Sequence, residues 1–246
     1  MSDLLLTKRR LLGGIALVAA GGALAACSEK KDAADASGGK TGIDGADIDP
    51  VQTAATPEAV PQPEGDVDMA KLLEPGALPE ESIGKADAPI TVVEYMSMTC
   101  PHCARFHNNT FEPIKEKYID TGKVRFVIRE FPFDPRAAAA FMLARCAPEG
   151  QYFPMVSMLF KQQEQWATAE NGREALLQMS KLAGFSQQTF EACLTNQKLL
   201  DDVNAVMQRG NKDFGVNATP TFFINGKKYS GEMSVEAMSG IFDALL

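Results

Sequence analysis

No aromatic residue occurs before Tyr95, although the chain holds 14 Phe, four Tyr and one Trp. The leading third therefore has little with which to build a hydrophobic core. Histidine is nearly missing, at two residues, which leaves few nitrogen ligands for a metal centre. Five cysteines are too few for a disulfide-stapled scaffold in a chain of 246 residues. Positive charge is in deficit: 24 Lys+Arg face 32 Asp+Glu, a net −8. Such a chain carries no electrostatic footprint for nucleic acid, and that class of partner is set aside. What is present is ordinary for a soluble globular protein, with 45% hydrophobic and 23% charged residues. Collagen-like, mucin-like and wholly disordered chains are excluded, and the length admits one large domain or a domain with tails.

The N-terminus reads as an export signal over residues 1–27. Lys8, Arg9 and Arg10 form a basic stretch, and Leu11 to Ala26 is apolar without a charge. That run is short for a transmembrane helix and is weakened by four glycines. Leu24-Ala25-Ala26-Cys27 then resembles the lipobox of bacterial lipoproteins, in which the cysteine receives a diacylglycerol. The alternative is an ordinary signal with an incidental cysteine. Arg9-Arg10 before a Gly-rich apolar stretch fits both general secretory and twin-arginine export. Residues 28–66 contain no aromatics, nine acids and three bases, and are expected to form a disordered acidic linker. A flexible chain of that length spans on the order of 35 Å, enough to hold a domain clear of a membrane. A propeptide or partner-binding tail is the other reading. Loss of the signal removes three basic residues and one acidic one, so the exported part is more negative still. The domain itself is then a poor ligand for an anionic lipid surface.

The pattern changes near Asp68, and residues 67–246 read as one domain. Pro89 to Met96 is β-rich and almost continuously apolar, which suits a strand buried on both faces. Cys100-Pro101-His102-Cys103 follows, and then a helical pattern through Phe106, Phe111, Ile114 and Tyr118. Lys123 to Phe131 alternates as a second strand. The result is a β-α-β unit with a CxxC at the strand-to-helix junction. Residues 135–213 look wholly helical, with helices expected over 135–147 and 151–164 and others opening near Asn171 and Ser186. Thr219 to Ile224 is a third strand, and Asn225-Gly226 predicts a tight hairpin to Lys227–Ser230. Ser234 is placed to cap a closing helix.

From about Gly84 onward the chain resembles the DsbA-like branch of the thioredoxin superfamily, thiol-disulfide oxidoreductases of the bacterial cell envelope. Ala88 to Tyr95 looks like the family's first core strand. Cys100-Pro101-His102-Cys103 matches its active-site tetrapeptide. A helical insertion divides the two halves, and Gly215 to Gly226, containing Thr219-Pro220-Thr221-Phe222, resembles its cis-proline segment. The fold implied is α/β: a thioredoxin fold with a helical insertion.

The site has a physical logic. Cys100 falls at the first turn of a helix, where unpaired N–H groups favour an anion and lower a thiol pKa. Pro101 suits the first helical position, because its missing N–H would be unpaired there. His102 offers a charge or a donor beside the sulfur. A stabilised thiolate is a stabilised reduced form, which makes the disulfide a stronger oxidant. Cys103, one turn in, is expected to be the buried resolving thiol. Glu94, an acid within an apolar strand, is a candidate to exchange a proton with Cys103, and the resemblance supports that role. The plain alternative pairs Glu94 with Arg129 or Lys123. The resemblance implies a cis bond at Pro220, leaving the Thr219 backbone free to pair with an extended substrate segment.

With Cys27 lipidated, Cys146 and Cys193 would remain as a structural disulfide in an oxidising compartment, or else as two separate thiols. Cys100, Cys103 and His107 share a helical face and could offer metal ligands, but no further group completes the set; His107 is expected at the surface or in packing. Phe131, Phe133, Phe153 and Trp166 are read as core. No cofactor is implied. The expected activity is a monomeric dithiol oxidase on the periplasmic side of the envelope, held to the membrane by an N-terminal lipid. It would act on thiols of exported proteins and be recycled by a quinone-linked membrane oxidase. The alternatives are an envelope reductase or isomerase on the same fold, or a non-catalytic copper-handling or anchoring module.

Overall fold

The computed structural model describes residues 60–246. Its centre is a six-stranded sheet in the order β1-β6-β5-β3-β4-β2. The strands are β1 (Gly65–Asp66), β2 (Glu81–Ile83), β3 (Ile90–Met96), β4 (Val124–Glu130), β5 (Thr221–Ile224) and β6 (Lys227–Ser230). β3 and β4 pair in parallel, with Ile90 opposite Val124 and Met96 opposite Glu130, whereas every other pairing is antiparallel. The parallel pair lies inside the sheet with both faces covered, which is why β3 reads as an apolar run rather than an alternation.

Between β3 and β4 the chain is helical from Pro101 to Ile119. α2 (Pro101–Arg105) passes into a π-helical turn at Phe106–Thr110, then α3 (Phe111–Ile114), then a second π-turn at Lys115–Ile119. α1 (Met69–Leu72) precedes β2, with the Asp68 carboxylate accepting from the Ala70 N–H at 2.8 Å. β1, α1 and β2 lie where the sequence pattern is weak. β1 pairs with β6, so the chain joins the sheet before residue 67, and the expected linker is ordered at its C-terminal end. The signal, Cys27 and most of the linker lie outside the described residues.

Six helices fill the interval between β4 and β5: α4 (Pro135–Cys146), α5 (Tyr152–Lys161), α6 (Gln163–Ala167), α7 (Gly172–Leu182), α8 (Gln187–Leu194) and α9 (Gln197–Phe214). The single helix expected over 151–164 is divided at Gln162, whose N–H bonds to the Met158 carbonyl at 3.2 Å. Side-chain caps fix the starts. Asp134 receives the N–H groups of Arg136 and Ala137 at 2.8 and 3.0 Å, and Ser186 forms a reciprocal capping box with Thr189. Gly215 ends α9 at φ 63, a left-handed position that a side chain resists. α10 (Val235–Leu245) closes the fold, with Ser234 capping the Ala237 N–H at 3.1 Å.

The core is continuous from the sheet into the insertion. Phe106, Phe126 and Phe222 cluster under the sheet, Phe141, Phe160 and Trp166 are buried in the helices, and each such side chain contributes about 2–3 kcal/mol of burial. Of the aromatics read as core, Phe131 and Trp166 are buried and Phe153 packs against the core from its edge. Phe133 is 57% exposed, with its ring edge-on to Phe131. It lies in the loop after β4, where neither face of an element covers it. A charged network ties the insertion to the sheet. Glu130, wholly buried at the end of β4, receives the Arg145 guanidinium of α4 and the Tyr152 hydroxyl at 3.1 Å. Arg145 also reaches the Pro79 carbonyl at 2.7 Å and Glu81 of β2 at 3.1 Å. Next to Arg145, Cys146 is bonded to Cys193, joining α4 to α8.

Candidate active site

Cys100 is the N-cap of α2, and Pro101 occupies the first helical position. The Cys100 N–H is satisfied by the Ser97 carbonyl at 3.1 Å, and the Cys100 carbonyl accepts from Ala104 at 3.1 Å. Its side chain is half-buried, whereas Cys103 is fully buried; both are thiols. The Thr219–Pro220 peptide bond is cis. The loop carrying it lies against α2, where the Cys100 thiol donates to the Thr219 carbonyl at 3.2 Å. β5 and β3 are neighbours, which is how residues 119 positions apart meet.

Three further side chains hold this arrangement. Gln163 of α6 donates to the carbonyls of Met98 and Cys100 at 2.8 and 3.0 Å, so the insertion grips the active-site loop directly. Thr99 donates to Asp134, the N-cap of α4. Arg105 lies 2.6 Å from His102 Nδ1 and donates to Glu232 at 2.8 Å. Since arginine can only donate, Nδ1 of His102 accepts in this geometry. A groove of about 370 Å³ runs beside Pro101 along Ala104, Arg105, Asn108 and Phe160.

A family model described as Thioredoxin matches residues 78–244. The chain belongs to the thioredoxin superfamily. Its branch is DsbA-like: alpha-DsbA1 of Wolbachia pipientis is 34% identical, with a TM-score of 0.66 over 71% of this chain and 94% of that one. A Rickettsia bellii protein bearing the provisional name protein-disulfide oxidoreductase is 35% identical over 162 residues, 65% of this chain and 62% of that protein. The chain thus spans about three fifths of the length of the curated relatives it matches. BdbD of Bacillus subtilis, 22% identical with a TM-score of 0.60, shares the fold.

The electrostatics of the DsbA-like site separate its two thiols. The Cys100 pKa falls from 9.0 to about 5. The hydrogen bond with the Cys103 thiol lowers it most; burial opposes this, and Thr219 and the N–H groups of Cys103 and His102 lower it further. The Cys103 thiol is pushed well above the ordinary range, chiefly by burial, with the Cys100 hydrogen bond and the Glu94 charge adding to it. The sequence-predicted Cys100, Pro101, His102, Cys103, Thr219 and Pro220 therefore converge, and Glu94 lies beneath them.

Glu94 is fully buried on β3 between Ile128 of β4 and Phe222 of β5. Its partner is neither Arg129 nor Lys123. Arg129 binds Glu80 at 3.0 Å, and Glu94 Oε2 lies 2.9 Å from Nε2 of His107. Of the two readings of His107, packing or surface, the packing one holds, since the residue is buried. Its ring packs among Phe106, Phe111 and Phe160, and its bond to Glu94 comes from the adjoining strand, which no local pattern marks. Gln163, Arg105 and Glu232 were also missed. Gln163 and Glu232 come from distant segments, and Arg105, although in α2, is not marked until Glu232 is placed beside it.

Proposed function

We propose that this chain is a thiol-disulfide oxidoreductase that donates its Cys100–Cys103 disulfide to thiols of exported proteins. The observation that carries the reading is the half-buried Cys100 thiol at a helix N-terminus, against the carbonyl of Thr219 before a cis proline. A substrate thiolate attacks Cys100 Sγ and Cys103 leaves, giving a mixed disulfide. A second substrate thiolate then attacks the substrate sulfur and releases Cys100 as the stabilised thiolate. Glu94 supplies the proton that Cys103 needs as it leaves. The Thr219 backbone aligns an extended segment of substrate, and a contact made through main chain suits substrates of unrelated sequence.

In this reading Cys27 carries a lipid, and the acidic linker lets the domain range over the periplasmic side of the membrane. A quinone-linked membrane oxidase restores the disulfide. No helix among the described residues is long and apolar enough to cross a membrane. The Cys146–Cys193 bridge is assigned a structural role in the insertion.

The test is equilibration of the full chain with glutathione buffers, with the Cys100–Cys103 disulfide followed by alkylation. A potential well above that of the glutathione pair supports the oxidase. One near thioredoxin's, at about −270 mV, would make the chain an envelope reductase. Persistence of exchange in C100S would overturn the assignment of Cys100.

A further inference from the structure

His107 belongs to none of the motifs that define the site, yet it is the partner of the site's one buried acid. Its side chain is 3% exposed and that of Glu94 is 0% exposed. Phe160 of α5 stacks on the imidazole at 4.7 Å, Phe111 of α3 lies at 5.0 Å, and Phe106 meets it edge-on at 5.3 Å. Glu94 Oε1 has no hydrogen-bond partner, although Oε2 is bonded to His107. A buried oxygen left unpaired costs stability, and its retention calls for a function. The charges acting on Cys103 come from Glu94 and Cys100. The residues facing Glu94 across the sheet, Ile128 and Phe222, are apolar, as are the three aromatics around His107.

We propose that His107 is a positioning residue for thiol exchange, and that Glu94 and His107 act as one proton-holding unit for Cys103. The inference rests on the thiol-exchange reading of Cys100 and Cys103. With Nε2–H donating to a Glu94 carboxylate, the pair carries one negative charge. One added proton makes it neutral, on either the carboxyl or the imidazole. When a thiolate attacks Cys100, Cys103 leaves as a thiolate beside a neutral pair and takes that proton. In the reverse step the pair, now negative, receives the Cys103 proton, and the Cys103 thiolate attacks Cys100 Sγ. A carboxylate alone would offer the proton a single resting place in a site lined by phenyl rings. The imidazole offers a second, and its aromatic neighbours tolerate the cationic form.

The test is resolution of a Cys100–glutathione mixed disulfide in the full chain, followed by stopped flow across pH. Cys103 gives its proton to the pair, the Cys103–Cys100 bond forms, the Cys100–glutathione bond breaks, and glutathione leaves as the thiolate. H107Q keeps a donor near the Nε2 position but holds no proton. H107F keeps a ring among the phenylalanines and has no nitrogen. In H107Q the rising limb of the rate profile is expected to move to lower pH by about one unit, and the plateau to fall about tenfold. A profile that superimposes on wild type, or a rate lowered equally at every pH, would overturn the proposal and leave His107 as packing. If H107F does not fold, H107Q alone decides. Failure of the oxidase reading registers elsewhere, in the glutathione equilibrium of the unmodified chain, while this assay still runs.

Discussion

Cys100 Sγ lies 3.2 Å from the carbonyl oxygen of Thr219, and the two residues are 119 positions apart in the chain. Neither half of the thioredoxin fold makes a site alone. α2 supplies a sulfur at the end of a helix, and the loop before β5 supplies the backbone that faces it.

A first prediction concerns pH. In the dithiol form the Cys100 pKa is lowered from 9.0 to about 5, first by the Cys103 hydrogen bond. A depressed folded-state value contributes stability that is complete above the ordinary thiol value and is lost as pH falls through the folded one. The disulfide form has no such thiolate. The Tm of the dithiol form is therefore expected to drop relative to that of the disulfide form as pH falls from 9.0 to about 5. Paired calorimetry of the two forms tests this, and thiolate absorbance should titrate with a midpoint near 5.

A second prediction tests the contact between α9 and β3. A Cβ on Gly210 would lie 2.5 Å from Cε1 of Tyr95, a ring that is itself buried. G210A should cost about 1–3 kcal/mol in denaturant unfolding. Gly65 has nothing within 4 Å of its Cβ position, and G65A should be close to neutral.

The third isolates the Glu130 network. R145M removes the guanidinium from a wholly buried carboxylate and should destabilise by about 3–5 kcal/mol. E130Q in the same background should recover much of that loss, because it removes the uncompensated charge. Urea unfolding of the two variants tests the order. If R145M alone is as stable as wild type, the network does not hold α4 to the sheet.

The fourth separates the two cysteine pairs. C146A/C193A opens a link across 47 residues and should lower stability by about 2–4 kcal/mol. Thiol exchange at Cys100 should persist, since the Cys100–Thr219 contact involves neither residue. Loss of exchange in a folded variant would move the bridge from a structural role into the site.

Much of this architecture is written locally. An apolar run must be buried on both faces, so β3 is readable from Pro89 to Met96. Asn225-Gly226 sets a hairpin because Asn225 takes φ 46 and Gly226 φ 88, values most residues resist. β1, α1 and β2 are not readable, because two to four residues carry too little periodicity; pairing with β6 and β4 creates the two strands, and the Asp68 cap starts the helix. The split between α5 and α6 was hidden for a related reason. Lys161 to Gln165 is polar throughout, with no Gly or Pro to mark a break, and the break comes from hydrogen bonds rather than from composition.

The sequence by itself determined the two thiols and the two prolines of the site, because backbone geometry and sulfur chemistry admit few substitutes there. Only the tertiary structure decided the partners. That Glu94 meets His107 rather than Arg129 depends on how the helix after Cys103 packs on β3 and on Glu80 holding Arg129. That Gln163 grips the carbonyl of Cys100 depends on where six helices pack. Charge pairing of buried groups is set by three-dimensional proximity, and no spacing along the chain encodes it.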